Sequence, residues 1–234
     1  HPYLWSAESP RLYECEVDLC VDSCGFEQII RQKVGFRRLE IQDGVMLLNR
    51  KRLLLRGVNR HEWSCKTGRA ISKHDMERDI ILLKQNNFNA VRTSHYPNQS
   101  YFYQLCDQYG LYVVDEVNLE THGTWMVSGK VRLTEQTLPG SLPNWEASVL
   151  ARAEAMFERD KNHASILFWS CGNESFGGET IYKMSEWFRA QDSSRLVHYE
   201  GIFYDRSFED SSDVESRMYV KPKEAKKYLE ERQK

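Results

Sequence analysis

The feature that most constrains the fold is a pattern of short apolar segment, polar loop and amphipathic helix, repeated from residue 43 onward. Segments with the character of buried strands occur at residues 53–58, 88–93, 111–115, 166–171 and 196–200. Helices are predicted at residues 72–86, 99–109, 145–161 and 180–189. Strands that alternate with helices predict βα units on a parallel sheet, and therefore an α/β protein.

Two architectures are built from βα units, the open doubly wound sheet and the (β/α)8 barrel. No G-x-G-x-x-G or G-K-[ST] loop follows any predicted strand, which removes the usual nucleotide-binding reason for an open sheet. The loops after the strands are polar and often charged, as they are at the C-terminal strand ends of barrels that carry chemistry. We therefore predict a partial (β/α)8 TIM barrel with about five of its eight strands.

The first forty or so residues have a different pattern. Residues 12–21 alternate apolar and polar side chains, which predicts a half-buried strand. A turn is predicted at residues 23–25, and a second extended segment at residues 26–35. Two or three strands do not form an independent sheet domain. This segment is therefore predicted to be the last part of a β-sandwich.

The charge balance and the cysteines bear on partners and location. Lys plus Arg number 32 and Asp plus Glu 34, a formal net charge of −2, which argues against nucleic acid or an anionic membrane as partner. No apolar run is long enough to span a membrane, and no basic-then-apolar leader follows His1. The six cysteines are predicted to be free and buried, since Cys20 and Cys24 lack a second ligand pair at zinc-finger spacing. We therefore expect a cytoplasmic location.

The strongest candidate for catalysis is Glu174, which with Asn173 directly follows the fourth predicted strand. A carboxyl group at the C-terminal end of a barrel strand is well placed to act as a general acid. The nearby Trp169 is expected to raise the pKa of this carboxyl toward the range useful for proton donation. The alternative is that Glu174 caps the helix that begins near Gly178.

A candidate metal site follows the third predicted strand. Glu120 and His122 lie two residues apart on an extended loop and can point to the same side. Together with Glu174 they would supply oxygen, nitrogen and oxygen ligands, which favours a hard divalent ion such as Mg²⁺ or Mn²⁺ over zinc. The alternative is a histidine that is hydrogen-bonded to its neighbouring carboxylate.

Two further histidines follow predicted strands, His61 after the first and His95 after the second. Each of the first four strands thus delivers a histidine or a glutamate to the same predicted face, a coincidence that indicates one site. Trp63 and Trp125 lie in the same loops, where they could stack on a sugar ring or pack in the core. These residues predict a polar pocket with aromatic walls, suited to a neutral, hydroxyl-rich substrate.

Four ordered motifs resemble the large β-galactosidases of glycoside hydrolase family 2. They are RGVNRHE (56–62), VRTSHYPN (91–98), YVVDEVNLETHG (112–123) and WSCGNES (169–175). Residues 4–13 and 34–37 resemble the immunoglobulin-like domain that precedes the barrel in that family. The resemblance implies the last part of an immunoglobulin-like β-sandwich at residues 1–43 and the first part of a catalytic barrel at residues 44–234. It also implies a homo-oligomeric parent enzyme.

The resemblance implies roles for individual residues in a retaining β-galactosidase, which cleaves terminal β-D-galactose from its substrate. Glu174 matches the acid/base that protonates the departing glycosidic oxygen and later activates water. Asn173 matches the amide that bonds the sugar 2-hydroxyl, an interaction that strengthens in the transition state. Tyr219 resembles the tyrosine beside the nucleophile, although Arg217 stands where that family has proline.

Four other residues resemble ligand-binding positions of the family. Glu120 and His122, with Glu174, match the ligands of an active-site Mg²⁺, for which Mn²⁺ is the alternative ion. His61 and His95 match residues that hold galactose hydroxyl groups.

The sequence departs from the family at the nucleophile. A retaining enzyme needs a second carboxylate, which this family carries in a Cys-Glu-Tyr-like motif on the seventh strand. No such motif occurs here, and Glu230 and Glu231 lie on a predicted charged helix at residues 221–234, where they cannot replace it. We therefore expect the chain alone to be inactive. The alternatives are a non-catalytic carbohydrate-binding or assembly module, and another family 2 glycosidase such as a β-glucuronidase or β-mannosidase.

Overall fold

A computed structural model describes residues 1–21 and 26–232. The chain begins with an antiparallel hairpin of β1 (Tyr13–Val21) and β2 (Phe26–Val34), in which Tyr13 lies opposite Val34. The two antiparallel strands confirm the extended segments predicted here. The turn predicted at residues 23–25, and Cys24 within it, lie outside the described residues.

A small three-stranded antiparallel sheet connects the hairpin to the barrel. It consists of β3 (Leu39–Gln42), β4 (Val45–Leu48) and β5 (Lys51–Arg52) in that order. The turn between β3 and β4 is made by Asp43 and Gly44, which both have positive φ, of 52° and 73°. Two such residues give the two-residue turn whose twist matches that of the flanking strands.

The barrel wall is one five-stranded sheet in which every neighbouring pair is parallel. Its strands are β6 (Gly57–Arg60), β7 (Ala90–Thr93), β8 (Tyr112–Glu116), β11 (Ile166–Ser170) and β12 (Leu196–His198). A short hairpin of β9 (Met126–Val127) and β10 (Lys130–Val131) lies in the loop after β8. The strands follow one another across the sheet in chain order, with no reversal of the kind found in a doubly wound sheet. This order confirms the partial barrel.

Among the described residues, four helices connect these strands and pack on their outer side, and a fifth follows the last strand. They are α1 (Lys73–Gln85), α2 (Ser100–Tyr109), α3 (Pro143–Asp160), α4 (Glu179–Gln191) and, after the last strand, α5 (Pro222–Arg232). Ser72 and Asp75 form a capping box at the start of α1, as their spacing predicts. Gly110 ends α2 in the left-handed conformation that glycine adopts most easily.

The first barrel strand lies further along the chain than predicted. The apolar segment at residues 53–58 was expected to be this strand, but β6 spans Gly57–Arg60. Leu53 is instead buried in an apolar cluster with Trp5 and Leu48, next to the small antiparallel sheet. Leu53 and Leu55 therefore belong to a packing surface below the strand and not to the strand itself, while Leu54 is exposed.

The cysteine prediction was partly wrong. The described cysteines are free, as expected, but Cys15, Cys20 and Cys65 are exposed, and only Cys106 and Cys171 are buried. Burial raises the pKa of both buried thiols well above the ordinary value, which makes them unreactive. Among the helices of the described residues, none combines the length and apolarity that a bilayer crossing needs.

Candidate functional site

A cavity of about 660 Å³ opens at the C-terminal ends of the five parallel strands. Each of the five strands, or the loop that follows it, contributes to the cavity, as expected for a barrel whose chemistry lies at this end. Its walls also include a segment from the loop before α5. The lining residues are Asn59, His61, Arg92, His95, Glu120, Asn173, Glu174, His198, Glu200 and residues 216–219.

The cavity brings together most of the predicted site residues. His61, His95, Glu120, Asn173, Glu174 and Tyr219 all line it. His122 is not part of the lining, but its Nδ1 lies 3.6 Å from a carboxylate oxygen of Glu174. The convergence of residues from separate loops on one face is therefore confirmed, while their individual roles stay predictions.

The backbone around Glu174 is held in an unusual conformation from both sides. Gly172 has a φ of +116°, and a Cβ there would lie 2.7 Å from the carbonyl oxygen of Leu119. Glu174 itself has a φ of +40°. Its N–H donates a hydrogen bond to Glu200, and its carbonyl oxygen accepts one from Trp125 Nε1–H at 2.8 Å. These contacts stabilise a left-handed residue that would otherwise be unfavourable.

The carboxyl group of Glu174 does not have the neighbour predicted for it. Trp169 is fully buried and stacks on Phe188 of α4, with ring centroids 5.7 Å apart, on the helical side of the sheet. The prediction that Trp169 adjoins this carboxyl was therefore wrong. The capping alternative also fails, because the N-cap residue of α4 is Gly178, and the N–H of Glu179 donates to Ser141 Oγ at 3.0 Å and not to Glu174.

Asn173 is fixed beside Glu174 by two partners. Its side-chain Oδ1 accepts a hydrogen bond from Arg92 Nη2–H at 3.0 Å, and its Nδ2–H donates to Glu120 Oε1 at 3.3 Å. Its backbone N–H donates to the carbonyl oxygen of Leu119, which ties the loop after β11 to the loop after β8. Asn173 is 4% exposed, and burial together with these bonds gives its side-chain amide one defined orientation.

The two predicted histidines lie next to each other. The rings of His61 and His95 meet edge to face, with centroids 5.3 Å apart. His61 Nδ1 lies 3.4 Å from the hydroxyl oxygen of Tyr96, and His95 Nδ1 lies 2.7 Å from Glu116 Oε1. Two imidazoles from adjacent strands thus form one corner of the cavity.

The two tryptophans do not form the aromatic wall of the cavity. Trp125 is fully buried and packs against Phe176 and Tyr204, so the core alternative is correct for it. Trp63 is 63% exposed but lies outside the cavity lining. Tyr219, at 94% exposure, is the aromatic side chain that does line the cavity.

Sequence reasoning missed Glu200, which follows the fifth strand. This residue is 2% exposed, and its Oε2 has no hydrogen-bond partner among the described residues. Burial is the main reason that its pKa is raised to about 7. Glu200 could have been found in the same way as Glu174, because it lies just after a strand. The predicted strand at residues 196–200 included Glu200, whereas β12 ends at His198.

The raised pKa of Glu200 predicts a pH-dependent stability. A carboxyl with a raised folded-state pKa stabilises the fold fully below its ordinary pKa of 4.5, and this contribution is lost as the pH rises to about 7. Glu200→Gln removes the titrating group while keeping an acceptor for the Glu174 N–H. Urea unfolding should therefore show the variant gaining about 3 kcal/mol on the wild type between these pH values. Parallel pH curves for the two proteins would contradict the raised pKa.

The three predicted metal ligands do not form a ligand cluster as they stand. In residues 1–21 and 26–232, no group of three or more His, Cys, Asp or Glu side chains is placed to hold a metal ion. Two carboxylates and an imidazole suit Mg²⁺ chemically, but Glu120 accepts a hydrogen bond from Asn173 instead of approaching His122 and Glu174. As these side chains stand they do not form a complete ligand set, and metal binding stays a prediction.

Comparison with protein-family models matches both parts of the chain. Residues 39–234 match the model described as "Glycosyl hydrolases family 2, TIM barrel domain", and residues 1–37 match "Glycosyl hydrolases family 2". The first match covers most of the chain and all of the strands that line the cavity. The predicted boundary at residues 43 and 44 is not tested by these matches and stays a prediction.

Curated relatives are similar over nearly the whole chain. A β-galactosidase of Halalkalibacterium halodurans is 54% identical over 228 residues, which are 97% of this chain and 22% of the relative. A β-galactosidase of Clostridium acetobutylicum is 54% identical over 226 residues, 97% of this chain and 25% of the relative. The chain thus spans about a quarter or less of the length of these relatives.

Solved structures share the fold at lower identity. A β-glucuronidase from Ruminococcus gnavus superposes with a TM-score of 0.71 and 30% identity, covering 84% of this chain and 33% of its own. A β-glycosidase from Bacteroides vulgatus gives a TM-score of 0.70 and 31% identity, covering 87% of this chain and 25% of its own.

Proposed function

Because this chain belongs to glycosyl hydrolase family 2, we propose that its cavity is the acid/base half of a retaining β-galactosidase active site. The observation that carries the proposal is the placement of Glu174. Its backbone is clamped by Glu200 and Trp125, and its carboxyl reaches the cavity beside the immobilised amide of Asn173. A carboxyl and an amide so placed match what such an enzyme needs at the leaving group and the 2-hydroxyl.

The proposed mechanism assigns each of these groups one task. The carboxyl of Glu174 donates its proton to the glycosidic oxygen as the bond to the sugar breaks, and then takes a proton from the attacking water. Asn173 donates its remaining amide hydrogen to the sugar 2-hydroxyl, while His61 and His95 bind other hydroxyl groups. Tyr219 lies where it can contact the same ring. No motif of this sequence provides the nucleophilic carboxylate, so we propose that the chain alone is inactive.

The charges of the cavity favour a neutral sugar over a glucuronide. Arg92 donates from Nε to Glu116 at 2.6 Å and from Nη2 to Asn173, while Arg217 pairs with Glu215 at 2.9 Å. Both arginines that line the described part of the cavity are thus engaged by partners of this chain. The carboxylate of a glucuronide would lose its hydration here without gaining an arginine that is free of other partners. This arrangement supports galactoside over glucuronide, which is the second candidate substrate.

Binding of non-hydrolysable thioglycosides to the chain tests the proposed substrate. A β-thiogalactoside should shift the imidazole NMR signals of His61 and His95, and the matching β-thioglucuronide and β-thiomannoside should bind at least tenfold more weakly. His163, which is buried against Asp107 away from the cavity, serves as the unperturbed reference. Equal or tighter binding of the glucuronide would contradict the proposal.

The same sample tests the metal. We propose Mg²⁺, or Mn²⁺, as the ion held by Glu120, His122 and Glu174, which requires these side chains to draw together from the arrangement described above. Mn²⁺ is paramagnetic, so it should broaden the His122 signals at concentrations that leave His163 sharp. Equal broadening of the His122 and His163 signals would contradict the proposed ligand set.

Three broader proposals concern the parent protein. We propose that it is a cytoplasmic homo-oligomer that binds neither nucleic acid nor membranes. The near-zero net charge of this chain supports the absence of nucleic-acid and membrane partners, and the free cysteines among the described residues support the location. The homo-oligomer rests on the resemblance to the family.

A further inference from the structure

A buried carboxylate outside the predicted catalytic set connects several cavity residues. Glu116 is the last residue of β8, and its side chain is fully buried. Its Oε2 accepts hydrogen bonds from Arg92 Nε–H at 2.6 Å and from Ser170 Oγ–H at 2.7 Å, while its Oε1 lies 2.7 Å from His95 Nδ1. Burial alone would raise its pKa, but the bond from His95 and the charge of Arg92 outweigh it and lower the pKa. An ionised carboxylate can only accept hydrogen bonds.

This acceptor fixes the proton position on His95. Because Glu116 cannot donate, the hydrogen between Oε1 and Nδ1 must belong to His95. In the neutral form of the ring, which has a single N–H, Nε2 of His95 is therefore an unprotonated acceptor. No described residue makes a hydrogen bond to this Nε2, and the ring lines the cavity.

The same logic extends through Ser170 to His198 on the next strand. Ser170 gives its only hydroxyl hydrogen to Glu116, so its oxygen can only accept from His198 Nδ1, which lies 2.9 Å away. Burial, with the charge of Arg92, lowers the pKa of His198 to about 4, so the ring is neutral. His198 therefore also carries its hydrogen on Nδ1 and has an unprotonated Nε2, and it too lines the cavity.

We propose that Glu116 is a positioning residue that sets the tautomers of both His95 and His198, so that the cavity presents two imidazole acceptors to sugar hydroxyl hydrogens. The nature of the ligand rests on the proposed function, whereas the two tautomers follow from the protein's own hydrogen bonds. Two acceptor-only nitrogens select groups that donate, such as hydroxyls, and disfavour groups that only accept, such as fluorine or a carboxylate.

Long-range ¹H–¹⁵N correlation of the histidine rings in this chain tests the tautomers directly. The spectrum is recorded at about pH 8, above the ordinary histidine pKa. His95 and His198 should both show a protonated Nδ1 and a bare Nε2. His163 is an internal reference, since its Nδ1 lies 2.6 Å from Asp107 Oδ2 and no bond links it to Glu116. A protonated Nε2 on either His95 or His198 overturns the inference.

The variant Glu116→Gln makes a sharper prediction, because an amide has one acceptor oxygen and one donor nitrogen in place of two acceptor oxygens. The oxygen should face Arg92 and Ser170, which both donate, so the amide N–H₂ then faces His95 Nδ1. His95 should therefore move its hydrogen to Nε2, while His198 and His163 keep theirs on Nδ1. The reverse amide orientation would flip His198 instead. Retention of both Nδ1–H tautomers in a folded variant overturns the inference.

A second variant separates the two histidines. Ser170→Ala removes the bridge to His198 but leaves the bond between Glu116 and His95. His198 should lose its single tautomer, while His95 stays protonated on Nδ1. A change at His95 with none at His198 would overturn the proposed connection. Because the wild-type spectrum is decisive by itself, the inference stays testable even where a variant does not fold.

Binding of modified galactosides connects the tautomers to specificity. In the wild-type chain, replacing the hydroxyl that contacts His95 with hydrogen or fluorine should weaken binding by a similar factor, about three- to tenfold. Fluorine cannot donate, so it should not restore the affinity. In Glu116→Gln the fluoro sugar should bind more tightly than the deoxy sugar, because Nε2–H now donates. If fluorine restores binding to the wild type, the acceptor role of His95 is overturned. If none of these galactosides binds, the proposed function is contradicted, while the tautomers are still decided by the histidine spectra.

Discussion

Replacing Glu174 with glutamine is expected to lower kcat by a factor of about 10² to 10⁴ on a substrate with a poor leaving group, the range that general acid–base catalysis contributes. The experiment uses a chimera in which this chain replaces the 228 residues that it matches in the Halalkalibacterium halodurans β-galactosidase. Glutamine keeps the size and polarity of the side chain but cannot transfer a proton. The KM should therefore change much less than kcat.

The choice of substrate distinguishes an acid from a structural role. An activated aryl galactoside needs little protonation of its leaving oxygen, so the loss at its glycosidic cleavage step should be much smaller than for an alkyl galactoside. Glu179→Gln is the matched control, because Glu179 lies on the surface of α4, paired with Lys183, and does not line the cavity. Equal losses for both leaving groups in the Glu174 variant would contradict the acid assignment.

Replacing Trp5 with alanine is expected to lower the free energy of unfolding by about 3 to 5 kcal/mol, the usual range for a buried tryptophan. Trp5 is fully buried, meets Tyr112 of β8 edge to face with centroids 5.8 Å apart, and donates from Nε1–H to the carbonyl oxygen of Asp107. The indole thus packs the first residues of the chain onto barrel elements about a hundred residues later in the sequence. Its loss leaves both a cavity and an unpaired carbonyl oxygen.

Urea unfolding measures this change, with Trp63→Ala as the control. Trp63 is 63% exposed, so its removal takes little apolar surface out of a packed environment. We expect the control to cost less than about 1 kcal/mol. Equal costs for the two variants would mean that the N-terminal segment is not integrated with the barrel.

Elements defined by local chemistry could be predicted from the sequence. The capping box at Ser72 and Asp75 and the left-handed Gly110 lie where predicted, because each depends on residues within one turn. The first barrel strand was misplaced, because its apolar predecessors pack against a different sheet. Apolarity indicates burial, but it does not say which backbone groups pair.

The cavity could be predicted in outline but not in detail. That His61, His95, Glu120 and Glu174 share one face follows from the parallel order of the strands alone. The direction of each side chain depends on register, which shifts in β11 between Ile166 and Phe168. Trp169 consequently faces the helices.

The hydrogen-bond network of the cavity was not predicted for the same reason. Glu116, Ser170 and His198 lie on three neighbouring strands and are far apart in the chain. Only the register between strands brings them into one chain of hydrogen bonds, and no local pattern in the sequence specifies that register.

The most direct test of the central claim is the rate at which the unmodified chimera hydrolyses an aryl β-galactoside, compared with the matching aryl β-glucuronide. We predict galactoside hydrolysis at a rate comparable to that of the parent H. halodurans enzyme, and little hydrolysis of the glucuronide. A folded chimera that hydrolyses no galactoside, or that prefers the glucuronide, would contradict the claim that this cavity is the acid/base half of a β-galactosidase site.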